Sequence, residues 1–204
     1  MCFHSKQSKK AQTLENRFKA EFLDIDIFIP TDHYNGFSHP QTPVITNKHA
    51  DKIQLFHWGL MPDWANDKSL MKNTLNAKIE TIHEKPSFRN SINQRCLVLV
   101  DGFYEWQWLD EKGKNKQKYL ITMPDEEAFA MAGLWNTWTD RKSGEIINTY
   151  TILTTVANEA MSIIHNSKKR MPVILKPEEE SIWLGNQDID MNRNMKLSAV
   201  KLDK

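Results

Sequence analysis

Cys2, Asn76, Glu105 and His165 are the residues of this chain whose types could do chemistry. Cys2 follows Met1, and loss of that methionine leaves one residue carrying both a free α-amine and a thiol. The amine, with a reference pKa of ~7.7–8.0, is partly neutral at physiological pH and can attack an aldehyde. The thiol, near ~8.5, can add to the resulting imine and close a thiazolidine. Asn76 is a neutral donor and acceptor that can orient an amine without protonating it; it also reads as a helix cap or turn residue. Glu105 lies inside the aromatic-rich run Phe103–Trp108. It either faces solvent, pairs with a cation, or is buried with a raised pKa that suits proton transfer. His165 precedes the cationic run Lys168-Lys169-Arg170 and reads either as an acid or base or as a capping cation at a helix end.

The elements that must position these residues are mostly strands. Arg95–Val100 is an apolar run, and Phe103–Trp108 alternates aromatic residues with others, so both read as core strands. Further strands are expected at 44–46, 53–58, 118–123, 129–135, 149–154 and 171–175, with an exposed hairpin loop over 110–118. Leu14, Phe18 and Phe22 recur at helical spacing, which predicts a helix over about residues 12–22. A second helix is expected over about 158–165, and a third begins at Pro177 with three glutamates in its first turn. The segment between the first helix and residue 44 is rich in breakers and reads as a long ordered loop. Strands outnumber helices and are joined mostly by short turns. The expected class is α+β: a mostly antiparallel, barrel-like sheet with flanking helices, in a single domain over residues 1–204.

Composition excludes several classes. With 204 residues, 40% of them hydrophobic, and seven tryptophans, the chain can bury a sizeable core. A formal net charge of +1 excludes whole-protein attraction to nucleic acid while leaving local basic patches available. Two cysteines, Cys2 and Cys96, give no disulfide framework and no metal motif, so a cytoplasmic location and no metal are expected. No stretch reaches the ~18 apolar residues of a membrane span. Nucleophile-elbow, phosphate-loop and zinc-helix motifs are all missing, and no cofactor is expected.

Met1-Cys2, Trp58-Gly59-Leu60-Met61-Pro62 with Trp64, Asn76-Ala77-Lys78, Lys85-Pro86-Ser87-Phe88-Arg89, Gly102-Phe103-Tyr104-Glu105-Trp106, Ala132-Gly133-Leu134-Trp135 and Arg170-Met171-Pro172-Val173-Ile174-Leu175 follow one another in an order that resembles the SRAP family of abasic-site processing proteins, also called SOS response-associated peptidases. The resemblance spans nearly the whole chain. It implies a DNA-damage role in which Met1 is removed and Cys2 becomes linked through a thiazolidine to the ring-opened sugar of an abasic site in single-stranded DNA. By the same resemblance Asn76 holds the Cys2 amine, Glu105 shuttles protons, and His165 protonates the sugar oxygen. Lys78, Arg89 and Arg170 then meet DNA, and Trp64 and Trp106 stack on or wedge between bases. The chain departs from the family pattern in having Phe3-His4 where Gly-Arg is common, Lys78 where arginine is usual, and five residues between His165 and Met171. The resemblance points to a monomer that engages single-stranded DNA and no membrane. Two other readings remain: an N-terminal cysteine hydrolase in which Cys2 attacks an amide, and a noncatalytic single-stranded DNA binding module.

Overall fold

The structure, a computed structural model, describes residues 2–191 and 194–203. Met1, whose removal the sequence reading invokes, lies outside the described residues. In chain order the elements are β1 (His4–Gln7), α1 (Ala11–Phe18), β2 (Glu21–Phe22), β3 (Thr31–Asn35), β4 (Gln41–Thr46), β5 (His49–Trp58), β6 (Asn76–Lys78), β7 (Arg95–Val100), β8 (Gly102–Trp108), β9 (Lys116–Thr122), β10 (Phe129–Thr139), β11 (Ile146–Val156), α2 (Glu159–Ile164), β12 (Arg170–Pro172), β13 (Ile174–Leu175), α3 (Pro177–Leu184) and β14 (Ser198–Lys201).

β7 explains the architecture. All six of its residues are buried, because both of its faces are covered. Leu97 and Leu99 pack into one core with Leu14 and Trp183, from α1 and α3. Cys96, Val98 and Val100 pack into a second core with Cys2, Phe103, Ile121 and Ile164, from the N-terminal segment, β8, β9 and α2. Such two-sided burial is what an uninterrupted apolar run encodes. Around β7 the pairs β5–β4, β4–β7, β7–β10 and β10–β11 are antiparallel, and a parallel β11–β5 pairing closes the ring into a barrel of five strands. A second sheet runs β14-β9-β8-β1-β3. The α+β, barrel-like class is the observed one.

Three local expectations are corrected. The first helix ends at Phe18, because Lys19 takes a left-handed φ of 54°. Phe22 leaves the helical series and is buried in β2, paired parallel to Ile53 of β5. The presumed loop before residue 44 contains β3, which pairs with β1 and lacks an apolar period because four of its five residues are polar. β9 begins at Lys116, inside the predicted hairpin loop, since Lys116 pairs with Trp108. β6 and β14 have no periodic signature and were not expected.

β1 is pinned between β3 and β8. Asp101 accepts from Lys6 Nζ at 2.9 Å, from the Ser8 amide at 3.0 Å and from Ser8 Oγ at 2.5 Å. On the other side the Gly36 amide donates to the Phe3 carbonyl at 2.8 Å. A side chain at residue 36 would bring Cβ to 3.1 Å from that oxygen and 3.3 Å from the Trp58 ring, so glycine lets the N-terminal segment approach.

Candidate active site

Four elements bring the candidate residues together. Trp58 Nε1 donates to the Leu75 carbonyl at 2.8 Å, and β6 runs parallel to β11 with Asn76 opposite Ile152, which fixes Asn76 beside the chain start. Asn76 Nδ2 donates to the Cys2 carbonyl at 2.8 Å. Its Oδ1 is buried and has no partner among the described residues, an acceptor waiting for a donor. Asn76 is therefore neither a helix cap nor a turn residue.

Cys2 is fully buried, its Sγ 3.7 Å from the His4 carbonyl. Burial pushes the thiol well above its ordinary value, and the Glu105 carboxylate adds to that push. Glu105 itself is 4% exposed, and burial raises its carboxyl to about 7. The solvent-facing reading of Glu105 gives way to the buried one, since its strand packs against the core on this side. A carboxyl poised near neutrality can both give and take a proton.

His165 caps the C-terminus of α2, whose N-terminus Asn158 closes by accepting from the Met161 amide at 2.9 Å. Its Nε2 is 3.9 Å from Glu105 Oε2. Burial lowers the imidazole to about 4, so at neutral pH a neutral ring faces the carboxyl and the two are no ion pair. Nδ1 lies 2.8 Å from the Arg170 carbonyl and 3.2 Å from the Arg170 amide. The shorter contact fits Nδ1–H as donor, which leaves the Nε2 lone pair toward Glu105. At 3.9 Å the two groups are beyond direct hydrogen bonding and can address one oxygen between them.

Glu105 and His165 open into a cavity of about 240 Å³, lined also by Phe3, next to the buried Cys2 in the chain, and by His4, Trp106, Trp108 and Lys168. Trp106 is thus at the site; His4 packs edge-on against it at 4.8 Å. Lys78 is exposed two residues beyond Asn76, on the same face of β6. Arg89 is exposed, and Trp64, 48% exposed, donates from Nε1 to the Pro86 carbonyl at 3.2 Å, which ties it to the Lys85–Arg89 segment and not to the cavity. Arg170 is placed otherwise than a phosphate contact requires. Its guanidinium forms a bidentate pair with Glu80 at 2.8 and 2.9 Å and donates to the Thr154 carbonyl at 2.6 Å. It links β12 to the segment after β6 and so holds the backbone that orients His165. Sequence reasoning missed His4, Trp108 and Lys168 as cavity residues. The alternation that marked Trp106 extends to Trp108 and was the available signal.

Among the described residues no group of three or more metal-ligating side chains converges, and no helix is long and apolar enough to cross a membrane.

The chain is similar to known proteins over most of its length. The chain is 37% identical over 177 residues to the abasic site processing protein YoqW of Bacillus subtilis, covering 83% of this chain and 76% of that one. It is 37% identical over 197 residues to the abasic site processing protein HMCES of Gallus gallus, covering 80% of this chain and 57% of the longer relative. A crystallised protein of Bacteroides thetaiotaomicron superposes with a TM-score of 0.88 at 36% identity, over 99% of this chain and 92% of its own. The profile of the family described as SOS response associated peptidase matches residues 1–202, and the chain belongs to that family, SRAP.

Proposed function

We propose that this protein, once Met1 is removed, captures abasic sites in single-stranded DNA by forming a thiazolidine between Cys2 and the ring-opened deoxyribose. The observation that carries the reading is the anchoring of Cys2 by Asn76, with the Asn76 Oδ1 acceptor left over. A free Cys2 amine supplies the missing donor, and a neutral amide keeps that amine unprotonated and nucleophilic. The names of the relatives support the substrate class.

The chemistry follows from the proton affinities. The amine nitrogen attacks the sugar aldehyde carbon, and the carbinolamine loses its hydroxyl as water when Glu105, protonated near neutrality, donates. Sulfur then adds to the imine carbon. Because burial holds the thiol protonated, its proton must leave as the C–S bond forms, and the Glu105 carboxylate just generated is the base. The proton that Glu105 gave leaves in the water and the thiol proton takes its place on the carboxyl, so the sequence consumes no external acid and the same steps run backward when water is taken up again. His165, held neutral with its Nε2 lone pair toward Glu105, accepts a hydrogen bond from the sugar hydroxyl in place of the protonating role that the resemblance implies.

The test is a denaturing gel with intact mass analysis after mixing the protein with an oligonucleotide bearing one abasic site. A band carrying the Met1-cleaved chain plus DNA, absent with Cys2→Ala and with an intact-base strand, is expected. Consumption of a peptide substrate in place of the abasic strand would favour the cysteine hydrolase, and salt-sensitive binding without any adduct would favour a simple binding module.

A further inference from the structure

Resting on that reading, we propose that the solvent-facing side of the β8–β9 hairpin is a track for the single strand beyond the cavity at Glu105 and His165, with Trp106 and Trp108 as stacking platforms and Lys118 and Lys116 as phosphate contacts. Strand alternation puts Tyr104, Trp106 and Trp108 on one face of β8, and the antiparallel register sets Trp106 opposite Lys118 and Trp108 opposite Lys116. The pairing is realised in space. Lys118 Nζ lies 4.3 Å from the Tyr104 ring centre and 5.7 Å from that of Trp106, and Lys116 Nζ lies 5.5 Å from that of Trp108. The track joins the cavity because both tryptophans also line it.

Charge favours this occupant. Among the described residues no carboxylate pairs with Lys116 or Lys118. Two bordering acids are engaged elsewhere: Asp110 accepts from the amides of Lys112, Lys114 and Asn115, and Asp32 lies 3.7 Å from Lys6 Nζ. An aromatic ring beside an unneutralised ammonium, repeated along an exposed sheet, is the arrangement that holds a base and its phosphate without regard to sequence.

The platforms are held in place. Asn166 brackets Trp108, accepting from its amide at 3.0 Å and donating to its carbonyl at 2.9 Å. Gly113, at φ +62°, presses its backbone against the indole so closely that a Cβ there would stand 2.5 Å from two ring atoms. Glycine is thus required in the hairpin for the position of Trp108 as well as for its own backbone.

The experiment is fluorescence anisotropy with labelled intact single strands of about 4 and about 16 nucleotides, run from low to moderate salt, with circular dichroism to verify folding. For the longer strand Trp108→Ala is expected to weaken binding by between about fivefold and a hundredfold. Lys116→Gln with Lys118→Gln is expected to reduce the slope of log affinity against log salt by about 1.4. The lysine double change is not expected to alter binding of the shorter strand by more than about twofold, because neither lysine lines the cavity. Gly113→Ala, which displaces the ring without deleting it, is expected to weaken the longer strand less than Trp108→Ala does. Equal losses for both lengths in the lysine double variant, or variants that bind the longer strand like the parent, overturn the track. Adduct formation by the parent is scored in parallel: length-dependent binding without an adduct sinks the capture chemistry and keeps the track, whereas an adduct with length-independent binding does the reverse.

Discussion

Glu105 and His165 are shifted in opposite directions by the same cause, and their titrations oppose one another. Glu105 ionises near 4.5 when unfolded and near 7 when folded, so the native state binds the extra proton, and its contribution to stability is lost as pH rises from 4.5 through about 7. His165 takes a proton near 6.5 when unfolded and near 4 when folded, so stability is lost as pH falls from 6.5 through about 4. Between about 4.5 and 6.5 the folded pair holds one proton, on the carboxyl, and the unfolded pair holds one, on the imidazole. The two dependences therefore cancel there. Single variants should expose each half. In urea titrations Glu105→Gln is expected to lose stability on acidification through this window more steeply than the parent, and His165→Gln on alkalinisation. The Glu105 half is worth roughly 3 kcal/mol across its full range. If both variants follow the parent at every pH, the assigned protonation states are wrong. Cys2 was legible in the sequence because its chemistry depends on position in the chain alone. The Asn76 contact was not, since nothing local shows that residue 76 meets residue 2.

At the scale of elements, the site depends on β1 being clamped at both edges. Asp101 supplies the clamp on the β8 side, and its hydrogen bonds to Ser8 and Lys6 outweigh burial and hold its carboxyl below the usual carboxylate range. A depressed carboxylate stabilises above its unfolded pKa of 3.8, and that contribution is lost as pH falls through the folded value. Asp101→Asn should cost on the order of 2 kcal/mol at neutral pH, with a gap to the parent that closes under acid, and should slow adduct formation by freeing the strand that carries Cys2. A neutral-pH stability equal to the parent's would remove the clamp. β7 and β8 were readable because an apolar run and an alternation of aromatic residues extend over six and seven residues. β1, β3 and β6 were not, being short and polar, and they are strands only because partners far along the chain complete them. Arg170 shows the same limit: its motif placed it at the site, while its engagement by Glu80 is a tertiary fact.

For the molecule as a whole, a net charge of +1 gives little long-range pull on a polyanion, so encounter relies on local lysines. The proposed covalent capture would make persistence independent of that weakness. The rate of adduct formation at low protein concentration should therefore fall with added salt while the final yield stays constant; a yield that falls in step with the rate would mean a purely electrostatic complex. The insertion of β1 between β3 and β8 has one more outcome. β3 and β8 both follow β1 in the chain, so β1 is ordered only by long-range pairing, and Cys2 is enclosed late in folding, once β8 and α2 have formed.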